Sequence, residues 1–102
     1  MKFITNYLEF GTDESKNLIN YVSEKEITSK SAILDYLRSD KYYDGVQCST
    51  ICDFVNNTQT HLGTNIYTDV EFFWDDKETY HFEKYNLKLN DDFIQHVLDQ
   101  QS

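Results

Sequence analysis

Residues 65–74, NIYTDVEFFW, alternate apolar and polar side chains more cleanly than any other part of the chain. On one extended strand Val70, Phe72 and Trp74 share a face that asks for burial, while Asp69, Glu71 and Phe73 share the opposite one. Two acids beside an aromatic suit an edge or an exposed sheet surface. The wider run from Tyr67 to Leu87 holds seven aromatics and six carboxylates against two lysines. Such a mixture implies a core element with a charged outer side.

The rest of the chain supplies helices to cover that strand. There is no proline and there are only three glycines, so polar runs must separate the elements. After MKFITNYLEF, a short strand or helix, Gly11-Thr12-Asp13 opens a helix carrying Leu18, Ile19, Tyr21 and Val22 at helical spacing. A second helix follows a Thr28 or Ser29 cap and aligns Ile33, Tyr36 and Leu37. The two are expected to pair antiparallel. KYYDGVQCSTICDFV, residues 41–55, reads as one or two strands, with Asp44-Gly45 as a turn. NNTQTHLG reads as a loop.

Beyond Trp74 two readings compete. Asp75-Asp76-Lys77-Glu78 fits a hairpin turn, because Tyr80 and Phe82 alternate with polar neighbours. It also fits a helix start, with Asp75 as cap and Glu78 in capping-box position; spacing slightly favours the helix. The final helix runs from an Asn90 cap, with Asp91 and Asp92 in its first turn and Ile94, Val97 and Leu98 as its stripe. Together these expectations describe one compact α+β domain of 102 residues, a small antiparallel sheet with about four helices.

Charge narrows the partners. Of the net charge of −9, residues 1–51 carry −2 and residues 52–102 carry −7, from ten acids and three bases. Such a field opposes binding to nucleic acid or anionic lipid and favours a basic protein. No apolar run is long enough to span a membrane and no leader pattern opens the chain, so a soluble cytoplasmic protein is expected. Cys48 and Cys52, about 13 Å apart on a straight strand, are expected to remain reduced thiols.

No constellation spells out catalysis. His61, His81 and His96 do not stand at zinc-ligand spacing from one another or from cysteine. The pairs Asp75-Asp76 and Asp91-Asp92 are explained by helix starts. No phosphate-cradling glycine loop or nucleophile elbow occurs. The expectation is a non-enzymatic protein without metal or cofactor. Interfaces instead need aromatic anchors beside complementary charge, which points to Tyr42, Tyr43 and Asp44, and to Asp69, Glu71, Phe73, Asp75, Asp76 and Glu78, as the partner-binding residues.

The run TDVEFFWDDKETYHFEKYNLKLNDDFIQHVL has a strand ending in Trp, an aromatic segment, a Tyr-Asn-Leu-x-Leu connection and a Phe-Ile-x-x-Val-Leu helix. Over residues 69–98 it resembles the small immunity proteins of bacterial contact-dependent growth inhibition and related polymorphic toxin systems. The resemblance favours the helix after Trp74. It implies an acidic cytosolic antidote that neutralises a basic toxin, of nuclease type, by occluding its active site or substrate groove. The competing expectation is an acidic nucleic-acid mimic that blocks a DNA-binding or defence protein.

Overall fold

The computed structural model describes residues 2–13, 15–47, 51–60 and 64–100, leaving Cys48, His61 and Gly63 outside the described residues. In chain order the elements are β1 (Lys2–Phe3), α1 (Lys30–Leu37), β2 (Tyr43–Gln47), β3 (Ile51–Asp53), β4 (Thr58–Thr60), β5 (Thr64–Thr68), β6 (Phe72–Asp75), α2 (Asp76–Tyr85) and α3 (Asp91–Gln100). Single 3-10 turns occur at Leu8–Phe10, Leu18–Tyr21 and Asp40–Tyr42. One four-stranded sheet runs β1-β6-β5-β2, and β3-β4 form a separate hairpin. The larger sheet is mixed, because β1 lies parallel to β6 while the other pairs are antiparallel. The α+β class holds, with three α-helices among the described residues instead of about four.

The alternating segment is a hairpin, not one strand. Its break falls at Asp69–Glu71, where no glycine or proline marks a turn. Asp69 makes the turn with its side chain: Oδ1 accepts the backbone N–H of Glu71 at 3.1 Å and of Phe72 at 2.7 Å. The Asp69 N–H donates to the Phe72 carbonyl, and the Thr68 hydroxyl donates to that same carbonyl while accepting the Val70 N–H. A carboxylate that satisfies two backbone donors offers the chain a turn in place of a ladder. Val70, expected in the core, is thrust outward, 86% exposed. Asp69, expected outside, turns in, its side chain only 3% exposed.

Antiparallel pairing then sets Tyr67 opposite Trp74 and Thr68 opposite Phe73. Phe72 and Trp74 are buried and Phe73 and Asp75 half-buried, so alternation survives in β6. The buried face joins Ile4, Ile33, Leu37, Phe82, Phe93 and Val97 in the main core. A smaller cluster of Tyr7, Phe10, Leu18 and Leu87 fills the space under the N-terminal loops. The Trp74 indole N–H donates to the Leu37 carbonyl at 3.0 Å, so its polar edge is satisfied inside the core.

The helix of residues 76–85 follows from its ends. Asp75 caps it by accepting the Lys77 N–H at 3.1 Å, and the Glu78 carboxyl accepts the Asp75 N–H, completing a capping box. Asn86 closes it in the left-handed region, with its N–H on the Phe82 carbonyl. In α3 the buried positions are Phe93 and Val97, with Ile94 beside the core and Phe93 taking the central place.

The helix expected after Gly11 does not form beyond the single turn at Leu18–Tyr21. Its donors are used elsewhere: Ser15 N–H and hydroxyl bind Asp13 Oδ1, and Leu18 N–H reaches Glu9 Oε1 at 3.0 Å. Local side-chain acceptors compete with helical carbonyls in this way. Asp44-Gly45, expected as a turn, lies within β2 as an irregularity in its register. Part of the NNTQTHLG loop is β4, paired to β3.

Val70 occupies φ 81°, a region that β-branched residues avoid. Since its side chain contributes little burial, Val70→Asn is expected to raise unfolding stability by about 1 kcal/mol. Chemical denaturation at constant pH measures it; an unchanged or lower midpoint would contradict a strained turn.

Candidate protein-binding surface

Three of the ten acids in residues 52–102 leave the surface altogether. Asp53, at the end of β3, is wholly buried. Its Oδ1 accepts the N–H groups of Val55 and Asn56, and its Oδ2 accepts the hydroxyls of Tyr80 at 2.6 Å and Tyr85 at 2.5 Å. Burial alone would raise its pKa, but these four donors outweigh burial and hold it well below the usual carboxylate range. It fastens the β3–β4 hairpin to α2. His81 does the same from the other side, accepting the Phe54 N–H at Nε2 and donating from Nδ1 to the Lys77 carbonyl. That tautomer is neutral, and burial lowers its pKa accordingly.

Asp69 is the second internal acid. Besides closing the β5–β6 turn it accepts the Tyr36 hydroxyl and lies 2.8 Å from His96 Nε2. His96 Nδ1 stands 3.1 Å from Glu71 Oε2, so the ring bridges two carboxylates. Burial works to raise the Asp69 pKa, yet the Tyr36 hydroxyl, the Phe72 N–H and His96 leave it lowered. In the trio of Tyr36, Asp69 and His96, burial and the Asp69 hydrogen bond push the Tyr36 phenol far up, so it stays a hydroxyl donor to the carboxylate. The trio is a brace between the hairpin, α1 and α3. Among the described residues no group of His, Cys, Asp and Glu could hold a metal ion, and none of the helices is long and apolar enough to cross a membrane.

Glu78, expected at an interface, is the third. Its carboxyl accepts the Thr5 hydroxyl at 2.5 Å beneath the helix start, with Thr5 itself fully buried. Burial, reinforced by the nearby Asp75 charge, pushes its pKa up to about 8 despite the Thr5 and Asp75 N–H donors and Lys77. The group is therefore a neutral acid at pH 7. Neither Asp69 nor Glu78 presents a carboxylate to a partner.

The remaining expected site residues fall into two neighbouring groups. On the outward face of the four-stranded sheet, the Phe73 ring meets Phe3 at 4.8 Å, and register puts Ile66 beside Asp75 on that face. Glu71 lies exposed at the hairpin tip, 3.9 Å from Lys2. At the opposite sheet edge, Tyr43 is 51% exposed, its ring 6.0 Å from Tyr67, with Asp44 exposed next to it. Asp76 binds the Asn65 N–H at 2.9 Å. Burial first, and then Asp76, Asp40 and Tyr43, raise the Tyr67 pKa, which places these groups around one phenol. A cleft of about 320 Å³ opens there, bordered by Asp76, Tyr80 and the Arg38–Glu83 ion pair. Tyr42, by contrast, packs its ring against Tyr36 at 4.7 Å and Trp74 at 6.0 Å and serves the core.

Sequence reasoning gave no site role to Asp53 or Phe3, read Tyr36 only as a helix stripe residue and weighed His96 only as a zinc ligand. Phe3 was hidden because only the parallel pairing of β1 with β6 brings it to Phe73. Comparison with protein-family models, curated proteins and solved structures finds no match.

Glu78 makes stability pH-dependent. With its folded pKa about 8 against an ordinary 4.5, the folded protein holds a proton that the unfolded chain releases. The stability this contributes is complete below about pH 4.5 and is lost as pH rises through about 8. Glu78→Gln keeps an acceptor for Thr5 and does not titrate. Its stability relative to the parent is expected to improve across that window by a few kcal/mol. Urea unfolding of both proteins at several pH values measures the difference; parallel pH profiles would remove Glu78 as the titrating group.

Proposed function

We propose that the chain is a stoichiometric inhibitor of the immunity type, binding a basic toxin domain of nuclease character and occluding its active site or substrate groove. The observation that carries this reading is the sorting of the acids. Asp53, Asp69 and Glu78 are consumed inside the fold, whereas Asp44, Glu71, Asp75 and Asp76 remain toward solvent beside Tyr43, Phe73 and Phe3. Aromatic anchors ringed by acids fit a basic surface through stacking and charge-assisted hydrogen bonds. The like-charged rim would steer association and suppress unwanted partners.

The same sorting weakens the nucleic-acid mimic. A mimic needs carboxylates spread outward at phosphate-like intervals, and three well-placed acids here are internal. Of the expected interface acids, those that keep access to solvent form local groups at the hairpin tip, the helix start and the β2 edge. Such groups suit one protein surface better than a long duplex groove.

Co-expression with the toxin encoded immediately upstream tests the reading directly: protected growth is expected, and unaltered killing would overturn it. Within that complex, Asp44→Lys is expected to slow association several-fold and flatten its salt dependence, since an exposed charge acts mainly on the on-rate. Tyr43→Ala is expected to raise the off-rate, at a cost on the order of 1 kcal/mol or more. Stopped-flow association at two ionic strengths separates the effects. Unchanged rates for both variants would move the interface away from the β2 edge.

A further inference from the structure

The outward face of the sheet contains a recess of about 190 Å³ between the N-terminal loop and the start of α2. Pockets that take a whole small molecule usually begin at about 300 Å³; this one has room for a single side chain. Its lining includes Phe3, Phe10 and Phe73 together with Asp75, Lys77 and Glu78. Aromatic faces beside a carboxylate form a cation site.

The chain's own Lys77 demonstrates that chemistry. Its ammonium stands 5.6 Å from the centre of the Phe10 ring and 3.5 Å from Asp75 Oδ2. The Lys77 side chain is about twice as exposed as that of Asp75, 36% against 17%, so the cation can swing into water while the carboxylate stays. Asp75 is held by the helix it caps. The positive end of α2 would ordinarily repel a cation, but the Asp75 carboxylate sits on it and already engages the Lys77 N–H.

We propose that this recess is an anchor for one cationic side chain, an arginine guanidinium of the basic protein partner, which displaces the Lys77 ammonium from Asp75 and the Phe10 ring. The inference rests on the basic-partner reading and names the contact through which that partner would be gripped. Arginine suits the recess better than lysine: a planar guanidinium stacks on rings and bonds a carboxylate with two parallel donors, which a compact ammonium does not. The charge count also fits one cation. Burial keeps Glu78 protonated at neutral pH, with its pKa about 8, so Asp75 is the single negative charge at the recess.

The test uses the full chain and two small probes, N-acetyl-arginine methylamide and its uncharged isostere N-acetyl-citrulline methylamide, followed by NMR of the phenylalanine rings. Saturable shifts at Phe3, Phe10 and Phe73 are expected for the arginine probe, with the citrulline probe roughly tenfold weaker or worse. Lys77→Ala removes the internal competitor and is expected to tighten binding several-fold. Asp75→Asn, which retains a helix cap, is expected to weaken it by a similar factor. Equal response to both probes, absence of saturable shifts, or weaker binding by Lys77→Ala would overturn the anchor. Those outcomes leave the inhibitor reading to toxin protection and to the Asp44→Lys association rate, which do not involve the recess. Protection lost with arginine binding retained would overturn that reading instead.

Discussion

One carboxylate, Asp69, joins three parts of the fold that are distant in sequence. Its Oδ1 closes the β5–β6 hairpin, and its Oδ2 takes the Tyr36 hydroxyl of α1 and faces His96 of α3. A buried carboxylate without partners costs several kcal/mol, so each segment depends on the others to keep this charge satisfied. Tyr36 extends the brace into the core, its ring 5.8 Å from Trp74 and 6.0 Å from Phe93. Asp53 repeats the arrangement for the smaller hairpin, with Tyr80 and Tyr85 as donors. In both places acid and aromatic meet through a phenol: the ring fills apolar space and the hydroxyl reaches the charge. The abundance of tyrosine and carboxylate in this chain is in part a single structural device.

That device explains which elements could be read from the sequence. α2 and α3 were legible because their signals are local, from the Asp75 and Glu78 capping box to the acids after Asn90. The β5–β6 turn was not. Alternation at Val70 is indistinguishable from that of a strand, and the turn is held by the Asp69 side chain, which accepts backbone donors while contacting Tyr36 and His96. Leu18 to Val22 shows the converse failure. Helical spacing was present, but Glu9 took the Leu18 N–H that a helix would use. Long-range pairing was equally invisible, as with β1 lying beside β6.

Charge was legible as a sum and illegible as a distribution. The second half carries −7 by composition, yet burial withdraws the Asp53, Asp69 and Glu78 carboxyls from its surface and neutralises the last. A linear reading puts Glu78 at a helix start but not in the interior; what takes it there is Thr5, seventy-three positions away, supplying a hydroxyl in a closed space. Of the expected interface, Tyr43, Asp44, Glu71, Phe73, Asp75 and Asp76 keep some access to solvent, while Asp69, Glu78 and most of Tyr42 belong to the interior.

The internal acids and the outward ones are mechanically linked. Phe72 and Trp74 are locked into the core, and strand alternation then leaves Phe73 and Asp75 no choice but the opposite face. Asp75 is held again by its capping role, and Phe73 by the Phe3 ring across the β1–β6 pair. Side chains fixed in this way lose little freedom when a partner arrives, so less of the interaction energy goes to ordering them. For the proposed inhibitor, a surface of modest area would gain affinity from that rigidity, which traces back to the Asp69 turn between the two strands.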